Sequence, residues 1–293
     1  MTFITQKSDR NIIFIVGIGR SGTSLLQTIL NRHSKIDSSQ ETAFVRDFIL
    51  KNKKVSKKDL IYSKINRLNI SDKNLNTPMS SIDFYNNYVN NTSSFFFLDK
   101  DPRLIESIQS LKKIFPYSKV ICIYRNPLDV MHSKINAEWS QNNSIIKNIL
   151  ISTIQHKLFK KNRSFCLTLK YEDLINNPKI EIKKITKHLK INFEPDMLTP
   201  KHNDNKLVTN EEMQWKSNTL NPIDSTNIGK GTATFSNFQQ SLVYELNKDI
   251  YQSFKYTKPL AKTGMFNLIL IKLISFFINC LANIYDLFSY KKF

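Results

Sequence analysis

The segment Gly17-Ile18-Gly19-Arg20-Ser21-Gly22-Thr23-Ser24 decides the fold of this chain, because it joins a predicted strand to a predicted helix. Three of the six glycines in the 293 residues lie within it. Residues 12–16, just before it, are continuously apolar and mostly β-branched, which indicates a buried strand. The apolar residues that follow have helical spacing: Leu25, Leu26, Ile29 and Leu30. Because glycine lets the backbone turn sharply and approach a ligand, the sequence predicts a binding loop at this junction.

The loop has the outline of a phosphate-binding loop, GxxxxG followed by two hydroxyl residues. Backbone N–H groups and the positive end of the following helix bind anions in such loops. A loop that binds nucleoside triphosphates has lysine directly after the last glycine, where this chain has Thr23. The cation lies at Arg20 instead. We therefore expect a 5′-phosphate that carries another transferable group, rather than hydrolysis of ATP or GTP.

Three more apolar runs are predicted to be strands, at residues 95–98, 119–124 and 165–169. Each is followed by polar residues and then by an amphipathic helix. Apolar strands that alternate with helices indicate an α/β fold with a parallel sheet covered on both faces. Ligands of such sheets bind beyond the carboxyl ends of the strands, where these polar residues lie. Residues 51–94 show no strand signal and are predicted to be inserted helices and loops, and residues 200–240 are predicted to be loops.

Arg125 and Ser133 form a second candidate anion-binding pair. Arg125 ends a predicted strand, and Ser133 lies about two turns, or ~12 Å, along the next helix. Arginine can bind a phosphate through two parallel hydrogen bonds, so this pair could grip a second phosphate. A purely structural role at the surface is the alternative.

The composition limits the classes of function. With 43 basic and 24 acidic residues the net charge is +19, which attracts nucleotides, acidic glycans and anionic membranes. No zinc-finger, RNA-recognition or basic-zipper pattern occurs, so we expect no nucleic-acid partner. The three cysteines are widely spaced and form no Cys/His cluster, which argues against a disulfide framework and a metal site. The first residues do not have the pattern of a secretory signal, so a cytoplasmic location is expected.

Two segments, GIGRSGTSLL and YRNPLDVMHS, together resemble the sulfotransferase family that uses 3′-phosphoadenosine-5′-phosphosulfate. Residues 100–102 (KDP), 171–174 (YEDL) and 40–42 (QET) agree with that family. The last is most similar to the tyrosylprotein-sulfotransferase-like branch and the bacterial enzymes related to it. The resemblance covers residues 10 to 195. It implies a P-loop-NTPase-like three-layer fold with a central parallel sheet, which we expect to occupy residues 10–260.

The resemblance also implies roles for individual residues. It implies transfer of a sulfuryl group from 3′-phosphoadenosine-5′-phosphosulfate to a hydroxyl acceptor, with adenosine 3′,5′-bisphosphate as product and no metal. The residues implied to hold the cofactor are Arg20, Ser21, Gly22, Thr23 and Ser24 at the 5′ side, Arg125 and Ser133 at the 3′-phosphate, and Tyr171. The catalytic residues implied are Glu41 as general base, Lys100 and Arg20. His33 and His132 are alternative bases, and Lys216 and Lys230 are candidates for a late cofactor loop.

Two departures from the family pattern concern the acceptor. Ala43 and Ala137 stand where the peptide-sulfating enzymes carry arginine. Both weaken a tyrosine peptide as acceptor, so a carbohydrate or glycolipid is expected. A P-loop kinase or phosphotransferase, and a non-catalytic membrane-associated anion-binding protein, remain alternative functions.

Residues 261–293 are predicted to form a separate apolar helical segment, most strongly at 265–288. Its polar residues 272, 275, 279, 283 and 286 fall on one narrow stripe of a helix. The charge-free run 273–285 is shorter than the ~20 residues needed to span a bilayer. Three alternatives remain: burial in the fold or a homodimer contact, a membrane surface, or a span that tolerates Lys272.

Overall fold

The computed structural model describes residues 11–68, 77–92, 94–137 and 145–290. Its strands are β1 (Ile12–Gly17), β2 (Ile36–Ser38), β3 (Lys54–Val55), β4 (Met79–Ser80), β5 (Phe96–Lys100), β6 (Lys119–Tyr124) and β7 (Leu167–Lys170). Five of them form one sheet in the order β2-β5-β1-β6-β7, and every neighbouring pair is parallel. The other two, β3 and β4, form a separate antiparallel pair. The predicted α/β fold with a central parallel sheet is therefore confirmed.

Helices connect the strands and cover the sheet. The α-helices are α1 (Thr23–Asn31), α2 (Lys57–Tyr62), α3 (Ser81–Asn90), α4 (Ile108–Ile114), α5 (Pro127–Ile135), α6 (Ile145–Asn162), α7 (Tyr171–Asn176), α8 (Pro178–Leu189), α9 (Met213–Lys216), α10 (Lys230–Thr234), α11 (Asn237–Leu246), α12 (Lys248–Ser253) and α13 (Met265–Tyr290). Val45–Ile49 is a single π-helical turn. The 3₁₀-helical turns are Lys64–Leu68, Pro102–Ser107, Arg163–Phe165, Pro195–Leu198, His202–Leu207, Asn210–Glu212 and Ser217–Thr219.

The structure differs from the sequence prediction in three places. Strand β2 at the sheet edge was not predicted, because Ile36 is its only apolar residue and a three-residue strand shows no periodicity. The inserted region 51–94 contains the short pair β3 and β4, whose two-residue strands give no signal either. Residues 200–240 are not only loops, since they contain short helical turns and helices α9 and α10.

Two apolar layers enclose the sheet. Alternate residues of β1 point to opposite layers, with Phe14 and Val16 in one and Ile13 and Ile15 in the other. All six residues of β1 are buried, which explains why its sequence is continuously apolar rather than alternating. The structure thus has the predicted helix–sheet–helix layers.

The site of interest lies where the sheet topology reverses. The chain leaves β1 to build β2 and β5 on one side, then crosses to build β6 and β7 on the other. The carboxyl ends of β1 and β6 are adjacent, with Gly17 paired to Ile123. A crevice forms at such a switch point, and it is the usual ligand site of open parallel sheets. The glycine-rich loop after β1 and Arg125 after β6 both lie there.

The predicted C-terminal helix is confirmed as α13. Residues Met265–Ile284 are long and apolar enough to cross a membrane by length and composition.

Candidate functional site

The loop between β1 and α1 is a tight turn that delivers backbone N–H groups to the crevice. Ser21 N donates a hydrogen bond to Ile18 O at 2.9 Å, and α1 begins directly after Gly22. Gly22 has a φ of +100°, and a Cβ atom there would lie 2.6 Å from a ring carbon of Tyr171. Glycine is therefore required at this position by both conformation and space. The first N–H groups of α1 have no partner within the helix, which suits them to an anion.

Two arginines meet beside this loop. Arg125 Nη1 donates to the backbone oxygen of Arg20 at 3.1 Å, and Arg20 Nε donates to Ser133 Oγ at 3.0 Å. The Arg125 guanidinium lies 4.7 Å from the centre of the Tyr171 ring, an arrangement that fixes its plane. Burial, and to a lesser degree the charge of Arg125, lower the pKa of Arg20 to about 10. Two guanidinium groups so close together favour a bound anion.

Two buried polar atoms at this point have no hydrogen-bond partner in the described structure: Ser21 Oγ and Arg125 Nε. Buried polar groups are nearly always paired, so each unpaired atom calls for an explanation. Arg125 lines the cavity described next and Ser21 belongs to the loop beside it, so a ligand with oxygen atoms could pair with these atoms.

A cavity opens between the loop, α5 and the chain segment after α9. Of the residues implied for the cofactor, all but Ser21 line it; Ser21 is buried beside them. The lining residues are Arg20, Gly22, Thr23, Ser24, Leu25, Arg125, Ser133, Tyr171, Ile175, Lys216, Asn218, Thr219, Pro222, Ile223, Asp224 and Asn227. Arg20 and Arg125 thus share one cavity.

Segment 216–231 forms one wall of the cavity and is tied to α5 by Asp129. The Asp129 carboxylate accepts hydrogen bonds from Gly229 N at 2.9 Å and Gly231 N at 2.8 Å. A Cβ atom at Gly231 would lie 2.3 Å from the carbonyl of Leu128. The segment therefore packs so closely on the backbone of α5 that a side chain at this position would collide with it. Arg125 Nη2 donates to Asn227 O. No sequence pattern predicts these roles of Asp129 and Asn227, although Asp129 lies within the segment YRNPLDVMHS.

Glu41 and Lys100 form a second cluster beside the cavity. Lys100 ends β5, is almost fully buried, and donates a hydrogen bond to Glu41 Oε2. Lys216 Nζ lies 3.7 Å from the same oxygen and 2.9 Å from Glu212 Oε2. Burial alone would raise the pKa of Glu41, but the charges of Lys100 and Lys216 outweigh it and hold that pKa at about 2. Glu41 and Lys100 do not line the cavity, whereas Lys216 does and so connects the two clusters.

Two aspartates flank Lys100 in the sequence, and both are buried. Burial, with the nearby charge of Asp101, raises the pKa of Asp99 to about 7, and the Tyr85 hydroxyl donates to its carboxyl at 3.0 Å. Asp101 accepts from Arg46 Nε at 2.8 Å. Each charge around Lys100 therefore has a neighbour of opposite sign or is close to neutral at physiological pH.

The alternative bases lie elsewhere. His33 Nε2 is 2.8 Å from Asn192 O, so this ring is engaged with the backbone at the far end of α1. His132 lies on α5, where burial, and secondarily the charge of Lys230, lower its pKa. The cavity-lining residues include neither histidine. In the part of the chain that the structure describes, no group of three or more His, Cys, Asp or Glu side chains could hold a metal ion.

The fold and the site together define an α/β protein whose glycine-rich loop and two arginines line one cavity at the sheet's switch point. Residues 12–195 match the sequence model of the Sulfotransferase family, so the chain belongs to that family. The predicted resemblance is confirmed, and its extent agrees with the 10 to 195 expected.

Relatives and solved structures agree with this assignment. The chain is 24% identical over 209 residues to Protein-tyrosine sulfotransferase 1 of Danio rerio, covering 67% of this chain and 57% of that protein. It is 24% identical over 196 residues to Protein-tyrosine sulfotransferase 2 of Gallus gallus, covering 64% and 53%. The chain thus spans just over half the length of these relatives.

Two solved structures share the fold. The sulfotransferase domain from the Curacin biosynthetic pathway superimposes with a TM-score of 0.67 at 18% identity, covering 85% of this chain and 99% of that one. The sulfotransferase domain of the Synechococcus PCC 7002 olefin synthase gives 0.65 at 18% identity, covering 85% and 95%. The predicted three-layer fold is therefore confirmed at the level of whole structures.

Proposed function

We propose that this protein is a sulfotransferase that takes a sulfuryl group from 3′-phosphoadenosine-5′-phosphosulfate and transfers it to a hydroxyl acceptor. The observation that carries the proposal is the convergence of Arg20 and Arg125 on one cavity, beside the unpaired buried atoms Ser21 Oγ and Arg125 Nε. Two cationic groups contributed by separate elements suit a nucleotide with one phosphate at its 5′ end and another at its 3′ position. Thr23, in place of the lysine of nucleoside-triphosphate loops, argues against a kinase.

The residues present fit this cofactor. The N–H groups that open α1, together with Arg20, Thr23 and Ser24, would hold the 5′ side. Arg125 and Ser133 would hold the 3′-phosphate, and Tyr171 keeps the Arg125 guanidinium in plane. When bound, the cofactor supplies the sulfuryl group and leaves as adenosine 3′,5′-bisphosphate.

Glu41 is proposed to accept the proton of the acceptor hydroxyl. Its carboxylate is ionised at neutral pH, because Lys100 and Lys216 hold its pKa low. A carboxylate with a pKa near 2 is a weak base, whereas the best general bases have a pKa near the working pH. Lys100 and Lys216 can turn from Glu41 toward an anion bound in the cavity, and Glu41 then regains a higher pKa. Lys100 and Lys216 therefore keep Glu41 a weak base until an anion occupies the cavity.

Lys100 and Arg20 are proposed to stabilise the negative charge that develops during transfer. By analogy with phosphoryl transfer, the protein contributes mainly positioning and electrostatic stabilisation. Removing one donor of this kind typically costs about 2.7–4 kcal/mol of barrier. Arg20 already lines the cavity, whereas Lys100 has to leave Glu41 to take this role.

The acceptor is proposed to be a carbohydrate or a glycolipid. The relatives are named for protein tyrosine as acceptor. The resemblance implies arginine in the peptide-sulfating branch at the positions of Ala43 and Ala137, the second on the cofactor side, and both alanines are buried here. These two departures argue against a tyrosine peptide as acceptor.

Calorimetric titration with adenosine 3′,5′-bisphosphate and with adenosine 5′-phosphate tests the cofactor. Arg125→Ala should weaken binding of the bisphosphate by roughly 10- to 150-fold, since a hydrogen bond to a charged group contributes about 1.5–3 kcal/mol. Binding of the monophosphate should change by less than about threefold, because it lacks the 3′-phosphate. Arg103→Ala, which removes an exposed arginine paired with Glu106, is the matched control. Equal weakening of both nucleotides would refute the assignment of Arg125.

Incubation with a radiolabelled sulfuryl donor and a panel of acceptors tests the reaction. Oligosaccharides, glycolipids and a tyrosine peptide belong in the panel. Labelling of the glycans or glycolipids is expected, and preferential labelling of the peptide would refute the proposed acceptor. Binding of the bisphosphate without labelling of any acceptor would favour the non-catalytic alternative.

A further inference from the structure

The long helix α13 packs on the protein through one narrow stripe. Its buried residues are Ile271, Ser275, Ile278 and Ala282. Ile271 and Ile278 belong to an apolar cluster with residues of α5, α6 and α11, and Ala282 packs with residues of α6. The spacing of 4, 3 and 4 residues places all four on one side of the helix.

The opposite side of α13, here named the outward face, is entirely apolar. Its residues and their exposed fractions are Phe266 78%, Ile269 55%, Leu273 53%, Phe276 65%, Phe277 64%, Leu281 52% and Ile284 49%. At 100° per residue they cover an arc of about 140°, centred opposite the buried stripe. The three phenylalanines alone expose on the order of 300–500 Å², given 150–250 Å² for an aromatic side chain. That already matches the largest patch of a typical monomer, which is often functional.

The polar residues of α13 do not cover this face. Lys157 of α6 donates to Asn283 Oδ1 at 2.9 Å and to Asn279 O at 3.4 Å, so the polar stripe lies along the domain's flank. An ordinary surface helix has the reverse arrangement, with its polar side toward water. The polar stripe recognised in the sequence therefore lies beside the buried residues at the edge of the domain, and the apolar side has no partner in the described structure.

Charge around the helix favours an anionic partner. No acidic residue occurs between Asp249 and Asp286. Four lysines in that interval are exposed: Lys255, Lys258, Lys262 and Lys272. A second copy of the chain would bring another +19 charge to the contact, which is unfavourable. Anionic lipid headgroups complement the lysines, at about 1 kcal/mol per basic residue near the surface.

We propose that the outward face of α13 lies in the headgroup–acyl boundary of an anionic bilayer and holds the protein on a membrane surface. An apolar arc this wide suits a lipid phase better than the narrow seam of a helix pair. The buried stripe from Ile271 to Ala282 holds α13 against α6 and α11, so the helix lies along the membrane plane rather than crossing it. This proposal does not depend on the proposed function.

Co-sedimentation of the full chain with vesicles tests the proposal. Binding is expected to vesicles of equimolar phosphatidylcholine and phosphatidylserine, and weaker binding to phosphatidylcholine alone. The triple variant Leu273→Gln/Phe276→Gln/Phe277→Gln should bind at least about a hundredfold more weakly, since each half-exposed large apolar side chain contributes roughly tenfold. The matched control is Phe95→Gln/Phe165→Gln/Ile180→Gln, three similarly exposed apolar residues far from α13 in sequence, which should bind like the wild type. Unchanged binding of adenosine 3′,5′-bisphosphate shows that either triple variant is folded.

Three results would overturn the proposal. The first is full vesicle binding by the α13 triple variant. The second is a dimer in light scattering that the same variant dissociates, with no vesicle binding by the wild type, which assigns the face to a second copy. The third is retention in membranes of expressing cells after an alkaline carbonate wash, which indicates a membrane-spanning helix. Replacing Lys258, Lys262 and Lys272 with glutamine should abolish the preference for phosphatidylserine, and a preserved preference contradicts the electrostatic part.

Discussion

The cavity and the Glu41–Lys100 cluster lie side by side but differ in how their charged and polar groups are paired. In the cavity, two arginines converge, and Ser21 Oγ and Arg125 Nε are buried without partners. Around Lys100, Glu41 is paired with lysines and Asp101 with Arg46. The cavity is suited to an external anion, whereas in the Glu41–Lys100 cluster the charges are neutralised by neighbouring side chains of opposite sign.

The difference follows from what each region has to do. A binding site for phosphates gains affinity when its cationic groups are fixed in position in advance. A base and a cation that act on a reacting hydroxyl must be held ready but not act without substrate. The two regions share Lys216, which lines the cavity and also contacts Glu41. Variants that change the cavity without the Glu41–Lys100 cluster, or the reverse, therefore test whether the two regions have separate functions.

The largest effect is expected for Glu41→Gln. Loss of the general base should lower turnover by about 10²–10⁴-fold, while affinity for adenosine 3′,5′-bisphosphate stays within about twofold. Steady-state kinetics and calorimetry measure the two quantities. Glu212→Gln is the control, since it removes a neighbouring carboxylate that contacts Lys216 and Arg67 but not Lys100. A large loss of affinity in Glu41→Gln would mean that the two regions form a single site.

A pH-dependent change in stability is expected for Asp99→Asn. Because the pKa of Asp99 is raised to about 7, the folded chain binds this proton more tightly than the unfolded chain. The wild type therefore loses stability as pH rises from about 4 to about 7, on the order of 2–4 kcal/mol, and asparagine does not. In denaturant unfolding, the free energy of unfolding of Asp99→Asn relative to the wild type should rise by this amount between pH 4 and pH 8.

The control for Asp99 is Asp249→Asn, an exposed carboxylate paired with Lys160. Its stability relative to the wild type should not change over the same pH range beyond a few tenths of a kcal/mol, as for an exposed ion pair. A flat difference for Asp99→Asn as well would show that Asp99 is ionised in the folded chain. The cluster around Lys100 would then carry an uncompensated negative charge.

These two regions also differ in how far the sequence reveals them. Six of the sixteen residues that line the cavity come from residues 17–24 and 125–133, two continuous segments whose glycine, hydroxyl and arginine pattern follows from phosphate binding itself. Lys216 was only a candidate, and the roles of Asp129 and Asn227 were not foreseen. Their contacts depend on how segment 216–231 docks on α5, which no local pattern encodes.

The same contrast holds for the sheet. The six residues of β1 are all buried, and this strand was predicted together with the loop and helix that follow it. Strand β2 was not predicted, because Ile36 is its only apolar residue. The sequence left the surroundings of α13 open between three alternatives for a related reason. Periodicity gave its polar stripe correctly, but only packing shows that the stripe borders the domain and that the wide apolar face points away from it.

The docked segment itself can be tested with Gly231→Ala. A Cβ atom there collides with the Leu128 carbonyl, and overpacking of this kind costs about 1–3 kcal/mol. Because the segment carries Asn227 and lines the cavity, affinity for the bisphosphate should fall roughly 5- to 100-fold. Gly264→Ala is the matched control, since nothing lies within 4 Å of its Cβ position. Unchanged affinity in Gly231→Ala would show that this wall does not contribute to binding.

The smallest effect, expected for Ser133→Ala, decides to which end of the nucleotide this serine belongs. Loss of one hydrogen bond should weaken binding of the bisphosphate about fivefold, near 1 kcal/mol. If Ser133 holds the 3′-phosphate, binding of adenosine 5′-phosphate should be unaffected. Ser133 Oγ also accepts from Arg20 Nε, so an equal loss for both nucleotides would mean that Ser133 acts by orienting Arg20 at the 5′ side. Thr234→Ala, which removes an exposed hydroxyl bonded to Lys230 O, should leave both affinities unchanged and so calibrates differences this small.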